Sequence, residues 1–356
     1  MEKQEKIDYI VVGAGLAGIA FIETCLKNNK TVCVFDDASQ NSSKIAAGIY
    51  NPVVLKRFSG IEYSDIQLAK ASAFYNSLEQ KLKTKFDHKI EVLRKFLSVE
   101  EQNNWFLAAD KPNVSDFLSL EIEHHNIEGI DAPFGFGKVF RTGYIDTALL
   151  LDRYHAFLQS NGFLSIESFE YSKIKMFDNS IIYKSISAKN IVFAEGYGLR
   201  NNMYFNFLPL DGTKGELLII KAEKLELKNI LNSSLYIVPL RNSYFKVGAT
   251  YEWKDKTEYI TIEGRYQLID KLKSIINCDF EIINHLAGIR PTVRDRKIML
   301  GSHHVYKNMH IMNGMGTRGV MQAPWAAELL FDSIENKILL DKTINISRYR
   351  KFCAEY

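Results

Sequence analysis

Several features are scarce in this sequence, and each scarcity excludes a class of protein. The 356 residues include only four cysteines, and none of them forms a C-x-x-C pair, which argues against a zinc site or a thioredoxin-like centre. Every long apolar run is broken by charge well before the roughly 20 residues that cross a bilayer. The charged N-terminus is followed by only a short apolar stretch, unlike a signal peptide. We therefore expect a cytoplasmic protein with reduced cysteines and no membrane span.

Neither sign of charge is in large excess. Lys and Arg total 45 and Asp and Glu total 42, so the formal net charge is only +3, too small to indicate nucleic-acid binding by composition alone. There is no internal repeat and no Pro- or Ser-rich linker. With 46% hydrophobic and 24% charged residues, the composition is that of an ordinary globular protein. The length predicts one large domain or two interleaved ones.

A glycine-rich turn near the N-terminus lies between two predicted strands. The apolar run Tyr9–Val12 leads into Gly13-Ala14-Gly15-Leu16-Ala17-Gly18, a helix follows, and Thr31–Phe35 forms a second buried strand that ends at Asp36. In such a unit the first glycine allows a tight turn and the second lets a pyrophosphate approach the backbone. The third lets the helix pack on the strand, and the acid accepts from ribose hydroxyls. The spacing predicts a dinucleotide site but does not separate NAD from FAD.

Hydrophobic periodicity places the remaining motifs along the chain. Helices are predicted over 62–84, Thr147–Ser160, Gly264–Ile276 and Pro324–Glu335. Strands are predicted at Leu217–Ile220, Tyr236–Pro239 and Phe245–Thr250. Small-residue loops that could approach a flat ring or an anion lie at Ala46–Pro52, Gly288–Thr292 and Gly314–Val320.

The order of these motifs resembles that of the FAD-dependent D-amino-acid oxidase family, particularly its glycine oxidase and sarcosine oxidase branch. The motifs that carry the resemblance are GAGLAG at 13–18, AAGIYNP at 46–52, VFAEG at 192–196, YIVP at 236–239, VGAT at 247–250, GIRPT at 288–292 and GMGTRG at 314–319. They span nearly the whole chain. The C-terminal GTRGVMQAPWAAELL is most similar to the oxidase domain of a bifunctional bacterial enzyme that modifies tRNA uridine, whose methyltransferase half has no counterpart in these residues.

The resemblance implies an α/β fold in which a Rossmann-like FAD-binding domain of the glutathione-reductase type is interleaved with an α+β, mixed-sheet substrate domain. Segments 1–85, 141–205 and 286–356 would form the FAD-binding domain, and segments 86–140 and 206–285 the substrate domain. The FAD would be noncovalent, because no cysteine lies between Cys278 and Cys353, where covalent sarcosine oxidases attach their flavin. The implied cofactor-binding residues are Gly13, Gly15, Gly18, Asp36, Ala47, Gly48, Gly196, Gly314, Gly316, Thr317, Gly319 and Val320.

The same resemblance implies a substrate-binding group. Arg290 would clamp the substrate carboxylate through two parallel charge-assisted hydrogen bonds, and Tyr236 would hydrogen-bond the same group. Thr317 and Arg318 replace a Tyr-Gly pattern of D-amino-acid oxidases, which leaves room for a second anionic group. By residue type alone, Arg290 could instead form a surface salt bridge with Asp295, and Tyr236 could be an ordinary core aromatic.

The implied activity is oxidation of the C–N bond of an amino acid or N-substituted glycine by hydride transfer to flavin N5. No residue is assigned as a catalytic acid or base, because positioning against the cofactor is the main task. No metal is expected, since His303, His304 and His310 have no carboxylate at ligand spacing. The expected partner is a small carboxylate-bearing amine, with oxygen or an unidentified molecule as electron acceptor. The alternatives are oxidation of a carboxymethylamino group on tRNA, which is not favoured, and a non-catalytic flavin-fold binding protein.

Overall fold

The structure is a computed structural model that describes residues 5–178 and 180–355, with side chains from residue 6 to residue 350. Cys353 lies outside the described side chains, and the ends of the predicted FAD-binding domain, residues 1–4 and 356, lie outside the described residues. The α helices are α1 Leu16–Lys27, α2 Ser42–Ile45, α3 Ser64–Leu82, α4 Val99–Ala109, α5 Thr147–Ser160, α6 Ile262–Lys273 and α7 Gly319–Glu335. Short 3-10 helices lie at Tyr171–Lys173, Gly196–Asn201 and Ile346–Glu355.

The strands, in chain order, are β1 Glu5–Val12, β2 Val32–Phe35, β3 Ile49–Tyr50, β4 Val53–Val54, β5 Ser59–Gly60, β6 Asp87–His88, β7 Val92–Lys95, β8 Leu118–Glu123, β9 Phe136–Val139, β10 Gly143–Ile145, β11 Leu164–Ser165, β12 Ile174–Phe177, β13 Ser180–Tyr183, β14 Ile186–Phe193, β15 Thr213–Lys221, β16 Ile230–Asn232, β17 Tyr236–Pro239, β18 Tyr244–Gly248, β19 Glu281–Arg290, β20 Met299–Ser302 and β21 Met309–Asn313.

The first large sheet has the order β11-β2-β1-β14-β13-β12, with β21 beside β14 and β20 beside β21. Strands β11, β2, β1, β14 and β21 run parallel to one another. Parallel strands are usually covered on both faces, and Tyr9, Ile10 and Val11 of β1 are accordingly fully buried. Residues of α1, α5 and α7 form the core on one face, and residues of segment 197–210 contribute to the core on the other.

The second large sheet has the order β19-β15-β18-β17-β16-β7-β9-β8 and is antiparallel except at the β16–β7 pair. One face packs against α6, where Leu218, Ile237 and Val247 meet Leu268 and Leu272. At the end of the sheet formed by β19, helix α2 packs against the opposite face. The two large sheets draw on interleaved segments of the chain, and the predicted mixed α/β fold class is confirmed. The domain boundaries stay a prediction.

The helix predicted to begin at Pro324 begins at Gly319 instead. A proline inside a helix has no N–H to donate to the carbonyl four residues earlier, here that of Val320. In this protein the Tyr75 hydroxyl on α3 donates to that carbonyl at 2.8 Å. The long-range hydrogen bond satisfies the carbonyl that Pro324 leaves without a helical partner, so the helix tolerates the proline.

The other predicted elements match the structure more closely. The predicted helix Thr147–Ser160 and the predicted strand Tyr236–Pro239 have their predicted bounds. Helix α6 begins two residues before the predicted Gly264, because the Thr261 side chain caps it by accepting from the Gly264 N–H at 3.0 Å. Within the described part of the chain, no helix has the length and apolar character needed to cross a membrane.

Candidate active site

The carboxyl ends of the parallel strands meet at one edge of the first sheet. Gly13 follows β1, Asp36 follows β2, Gly196 lies shortly after β14, and Gly314 follows β21. The Asn313 side-chain amide donates to the Gly196 carbonyl at 2.8 Å and ties two of these turns together. The fold therefore collects predicted cofactor-binding positions from distant parts of the chain at the edge where open α/β sheets bind their ligands.

The N-terminal glycine turn has no room for side chains. Gly13 has φ +95°, and a Cβ atom there would lie 2.5 Å from the Ala194 carbonyl oxygen. A Cβ atom at Gly18 would lie only 1.9 Å from the Gly13 carbonyl oxygen. Helix α1 begins after Gly15, which has no side chain to cap the helix, and its first turn contains no acidic residue. The Ser43 hydroxyl accepts from the Leu16 N–H at 3.2 Å. The positive end of α1 can still receive an anion such as a pyrophosphate.

Asp36 is attached to the same turn through its carboxylate. One carboxylate oxygen accepts from the Ala14 N–H, and the other accepts from the Ala38 N–H at 2.6 Å. His155 of α5 also contacts the turn, with its Nε2 atom 2.9 Å from the Ala14 carbonyl oxygen, a contact that the sequence did not reveal. Asp36 lies directly after β2. Its contact with a ribose stays a prediction.

A loop over Ala46–Asn51 lies between the two sheets. Gly48 has φ +75°, and its carbonyl accepts from the Ile145 N–H at 3.0 Å. From the second sheet, the Lys246 ammonium donates to the Ala46 carbonyl at 3.0 Å, and the Tyr236 hydroxyl lies 3.4 Å from the Asn51 side-chain nitrogen. These contacts place Ala47 and Gly48 opposite the face of the second sheet that carries Lys246 and Tyr236.

Strand register puts the predicted substrate residues on that face. Tyr236 pairs with Gly248, Gly215 pairs with Gly288, and Arg290 continues the alternation two residues after Gly288. Side chains at every second position of a strand share a face, so Arg290 and Tyr236 both face away from α6. Gly215 and Gly248 lie on the two strands between them, and Gly288 lies on the strand of Arg290. We call these three glycines the glycine floor. The sequence alone does not reveal this floor, because the floor depends on strand pairing.

The Arg290 guanidinium lies over the glycine floor. A Cβ atom at Gly215 would be 2.0 Å from its Nη2 atom, so glycine is needed at that position. Its Nη1 atom donates to the carbonyls of Thr250 at 3.2 Å and Lys214 at 3.4 Å. The Tyr251 ring centroid is 4.5 Å from the guanidinium carbon. Burial lowers the pKa of Arg290.

Arg290 has no carboxylate partner among the described side chains. The alternative pairing with Asp295 is wrong, because Asp295 accepts from Arg348 Nε at 3.0 Å and from the Tyr349 hydroxyl. A half-buried cation that hydrogen-bonds only to carbonyl oxygens still lacks a counter-charge. An anion bound at this position would supply one.

Two further polar side chains share the face with Arg290. Burial raises the pKa of Tyr236 to about 12, so its hydroxyl keeps its proton near neutral pH and can donate. Burial lowers the pKa of Lys246. Lys246 was missed from the sequence, although a lysine between Phe245 and Val247, which pack on the α6 side, must point to the opposite face.

The last glycine turn is held beside Arg290. Gly314 and Gly316 have positive φ angles of +79° and +54°, and the Gly316 N–H donates to the Pro291 carbonyl at 3.1 Å. A Cβ atom at Gly319 would lie 3.6 Å from Leu16 of α1, so the N-termini of α1 and α7 are adjacent. The predicted residues that complete this turn are the exposed Thr317, the half-buried Arg318 and the buried Val320.

Glu195 is a buried carboxyl group at the nucleotide edge that sequence analysis did not assign. It accepts hydrogen bonds from the Tyr171 hydroxyl and, at 2.8 Å, from the Asn202 side chain. Burial raises the pKa of Glu195 to about 7 despite these two donors. The sequence signal for Glu195 was an acidic residue shortly after the apolar strand β14. Across the side chains that the structure describes, no group of three or more His, Cys, Asp or Glu is arranged to hold a metal ion.

Comparison with known proteins identifies the family. The model of a family described as DAO, FAD-dependent oxidoreductase, matches residues 8–333. The chain belongs to the DAO family. It is 22% identical to glycine oxidase of Bacillus subtilis, over 92% of this chain and 93% of that protein. It is also 22% identical to the tRNA 5-methylaminomethyl-2-thiouridine biosynthesis bifunctional protein MnmC of Marinobacter nauticus, over 91% of this chain but only 55% of that protein.

Solved structures show the same fold. Glycine oxidase from Geobacillus kaustophilus superposes with a TM-score of 0.75 at 16% identity, covering 97% of this chain and 98% of that chain. L-amino acid deaminase from Proteus vulgaris superposes with a TM-score of 0.78 at 14% identity, covering 98% and 99%. The DAO-family protein described here is therefore an FAD-dependent oxidoreductase.

The residues present fit FAD. The glycine turn admits a pyrophosphate against the N-terminus of α1, for the reasons given above. The space beside Gly196 is open. A Cβ atom there would have no described heavy atom within 4 Å, apart from the atoms of its neighbours in the chain. Together with the N-terminus of α1 and the adjacent start of α7, this leaves an edge that fits a nucleotide.

Proposed function

We propose that this DAO-family protein oxidises the C–N bond of an amino acid or N-substituted glycine, a small amine that carries a carboxylate. The observation that supports this most strongly is the half-buried Arg290 guanidinium, which lies over Gly215 without a carboxylate partner among the described side chains. A guanidinium matches the geometry of a carboxylate, to which it donates two parallel hydrogen bonds. The names of the relatives, glycine oxidase and L-amino acid deaminase, agree with such a substrate.

In this proposal the side chains of the second sheet position the substrate. Arg290 binds the carboxylate, and the carbonyls of Thr250 and Lys214 keep the guanidinium in place. The Tyr236 hydroxyl donates to the same carboxylate. Lys246 holds the Ala46 carbonyl and so fixes the loop opposite the substrate. When bound, FAD accepts the hydride that leaves the substrate α-carbon.

The cofactor would be held by the residues predicted from the sequence. We assign Gly13, Gly15, Gly18 and Asp36 to its ADP part. The flavin would contact the residues of the interleaved turns, namely Ala47, Gly48, Gly196, Gly314, Gly316, Thr317, Gly319 and Val320. A helix N-terminus such as that of α7 stabilises negative charge next to it. We further propose that the FAD is noncovalent, so that acid precipitation releases all of the flavin into the supernatant.

The experiment that tests the activity is anaerobic bleaching of the purified holoenzyme with matched amines. Glycine, N-methylglycine, N-ethylglycine and D-alanine carry the carboxylate, and methylamine, dimethylamine and ethylmethylamine do not. We expect bleaching only by amines of the first group, because only they engage Arg290. Equal bleaching by both groups, or none by any amine, would contradict the proposal. Repeating the reaction in air with a peroxide assay tests oxygen as the electron acceptor.

A second candidate is a carboxymethylamino group attached to tRNA. It is favoured by the similarity to MnmC and by exposed aromatic side chains near the site. Tyr251, which contacts Arg290, is 62% exposed, and Trp253 and Tyr259 follow it on the surface. Bases of nucleic acids stack on such side chains. Modified and unmodified tRNA in the same bleaching assay, at low and high salt, decide between the free amine and the RNA-linked one.

A further inference from the structure

We propose that the substrate carries a second anionic group, a phosphate or a carboxylate, which binds Arg318 and Arg296 in a cavity beside the Arg290 site. This inference rests on the proposed function, because it concerns the same substrate. It is carried by the pairing of charges around the cavity and by the contacts that join the cavity to Arg290.

The cavity lies between the turn at residues 60–63, segment 295–298 and the start of α7. Its volume is about 210 Å³. That is well above the roughly 10–15 Å³ that a single water needs by the same measure, so a phosphate or carboxylate fits. The charged residues that line the cavity are Glu62, Asp295, Arg296, Lys297 and Arg318.

The carboxylates of the cavity already have cationic partners. Glu62 accepts from the Lys297 ammonium. Asp295 accepts from Arg348, which reaches in from the C-terminal segment. The guanidiniums of Arg296 and Arg318 have no carboxylate partner among the side chains that the structure describes. The cavity therefore has two arginines whose charge is not neutralised.

Arg318 is the more constrained of these two arginines. It is half-buried at the start of α7, whereas Arg296 is exposed. Burial lowers the pKa of Arg318, and the positive charge of Arg296 lowers it further. Two neighbouring cations, one of them largely removed from water, are unfavourable unless an anion lies between them. A phosphate or carboxylate offers oxygens in the geometry that guanidinium groups bind.

The cavity and the Arg290 site are joined through the backbone. The turn that carries Arg318 is tied to the residue after Arg290, because the Gly316 N–H donates to the Pro291 carbonyl at 3.1 Å. Arg318 lies two residues after Gly316, so this hydrogen bond brings the two arginine-bearing segments together. In this proposal one ligand with two anionic groups engages both arginines.

The test compares amines that differ only in the second anion. N-(carboxymethyl)ethanolamine has one carboxylate, its phosphate monoester adds a phosphate, and N-(carboxymethyl)-β-alanine adds a second carboxylate. We expect the kcat/KM for anaerobic flavin reduction to be at least about tenfold higher for one of the dianionic amines than for the alcohol, the effect of a hydrogen bond to a charged group. The dianion with the larger gain identifies whether the group is a phosphate or a carboxylate. Equal values for all three amines would overturn the proposal.

Variants test which residues cause the difference in kcat/KM between the dianionic amines and the alcohol. Arg318→Met and Arg296→Met should bring the dianion-to-alcohol ratio close to one. Arg294→Met is the matched control, because Arg294 is an exposed arginine on the same segment and does not line the cavity. It should keep the wild-type ratio. FAD content is measured from the visible absorbance of each variant. An unchanged ratio in Arg318→Met, or loss of FAD from it, would show that Arg318 does not bind the substrate.

A binding measurement keeps this inference separate from the proposed function. If no amine bleaches wild-type holoenzyme, the proposed function is wrong, and the subsite is tested with inorganic phosphate alone. Thermal unfolding in phosphate and in chloride at equal ionic strength should then show a higher Tm in phosphate for wild type and for Arg294→Met, but not for Arg318→Met. No phosphate effect, or the same effect in all three proteins, would reject the subsite.

Discussion

The nucleotide edge of the first sheet and the glycine floor of the second are built in different ways. At the edge, Gly13, Gly15, Gly18 and Asp36 belong to one continuous strand–turn–helix–strand unit. At the floor, Arg290, Lys246 and Tyr236 come from three strands that are brought together by sheet register. At the edge, cofactor binding would depend on the shape of the backbone. At the floor, substrate binding would depend on where the charged side chains lie. Substitutions should therefore damage the two regions through different mechanisms.

The largest effect is expected from removing the charge on the floor. Arg290→Ala removes the carboxylate clamp, which should cost roughly 2–5 kcal/mol of transition-state binding, or about 30- to 4,000-fold in kcat/KM. Arg290→Lys should recover only part of this, since an ammonium lacks the planar fork of donors. FAD content should stay near wild type, because the arginine is assigned to the substrate. The measurement is the rate of anaerobic flavin reduction against substrate concentration.

Arg294→Ala serves as the control for this experiment, since it removes an exposed arginine nearby. Wild-type reduction rates in Arg290→Ala would remove the clamp from the proposed function. Loss of FAD from Arg290→Ala would mean that the floor and the edge are not separate in function.

The next effect concerns a buried carboxyl group at the edge. Burial raises the pKa of Glu195 from 4.5 to about 7, so the folded protein favours the protonated form. The contribution of Glu195 to the free energy of unfolding is fully present below pH 4.5 and is lost as the pH rises through about 7. Its size is about 3 kcal/mol, at 1.36 kcal/mol for each unit of pKa. Glu195→Gln should remove this pH dependence, measured as the free energy of unfolding in urea at about pH 5 and about pH 8.

Glu128→Gln is a suitable control for the titration, because Glu128 is exposed. It should keep the wild-type difference between the two pH values. If Glu195→Gln also keeps it, another group causes the pH dependence, and the edge does not depend on a neutral carboxyl.

A steric change at the edge should act on FAD binding. In Gly18→Ala the added Cβ would lie 1.9 Å from the Gly13 carbonyl oxygen, a backbone atom that cannot rotate away as a flexible side chain could. Overpacking of this kind costs about 1–3 kcal/mol, which would weaken FAD affinity about 5- to 150-fold. The measurement is a fluorescence titration of apoprotein with FAD. Gly198→Ala is the control, because its Cβ would meet only the flexible Gln40 side chain at 3.4 Å. Equal affinities in wild type and Gly18→Ala would refute the steric account.

The difference between the two regions also explains what the sequence could reveal. The spacing of Gly13, Gly15, Gly18 and Asp36 is local, so the turn and its strands could be predicted, and the family and fold class are confirmed. The start of α7 was predicted wrongly at Pro324, because the hydrogen bond that compensates for the proline comes from Tyr75, far away in the chain.

The floor could not be predicted in the same way. Gly215 pairs with Gly288 of the distant strand β19, and β18, which carries Lys246, pairs with β15 as well as with its neighbour β17. Only this register shows that Lys246 and Gly215 share a face with Arg290. The motif around Arg290 identified the residue, but not the glycine beneath its guanidinium or the carbonyls that hold it. Glu195 was quoted within a motif, yet its burial depends on Tyr171 and Asn202, which fold back onto it.

The smallest effect tests whether Tyr236 belongs to the floor or only to the core. Its hydroxyl keeps its proton near neutral pH, and its 3.4 Å contact with the Asn51 side-chain nitrogen is long for a hydrogen bond. The hydroxyl can therefore donate to a carboxylate held by Arg290. Tyr236→Phe should raise KM for flavin reduction about tenfold while kcat changes less than about twofold, since the carboxylate contact is made equally in the ground and transition states. Tyr266→Phe on α6, behind the sheet, should change neither constant. A lower Tm with an unchanged KM in Tyr236→Phe would assign Tyr236 to the core and leave Arg290 as the side chain that recognises the carboxylate.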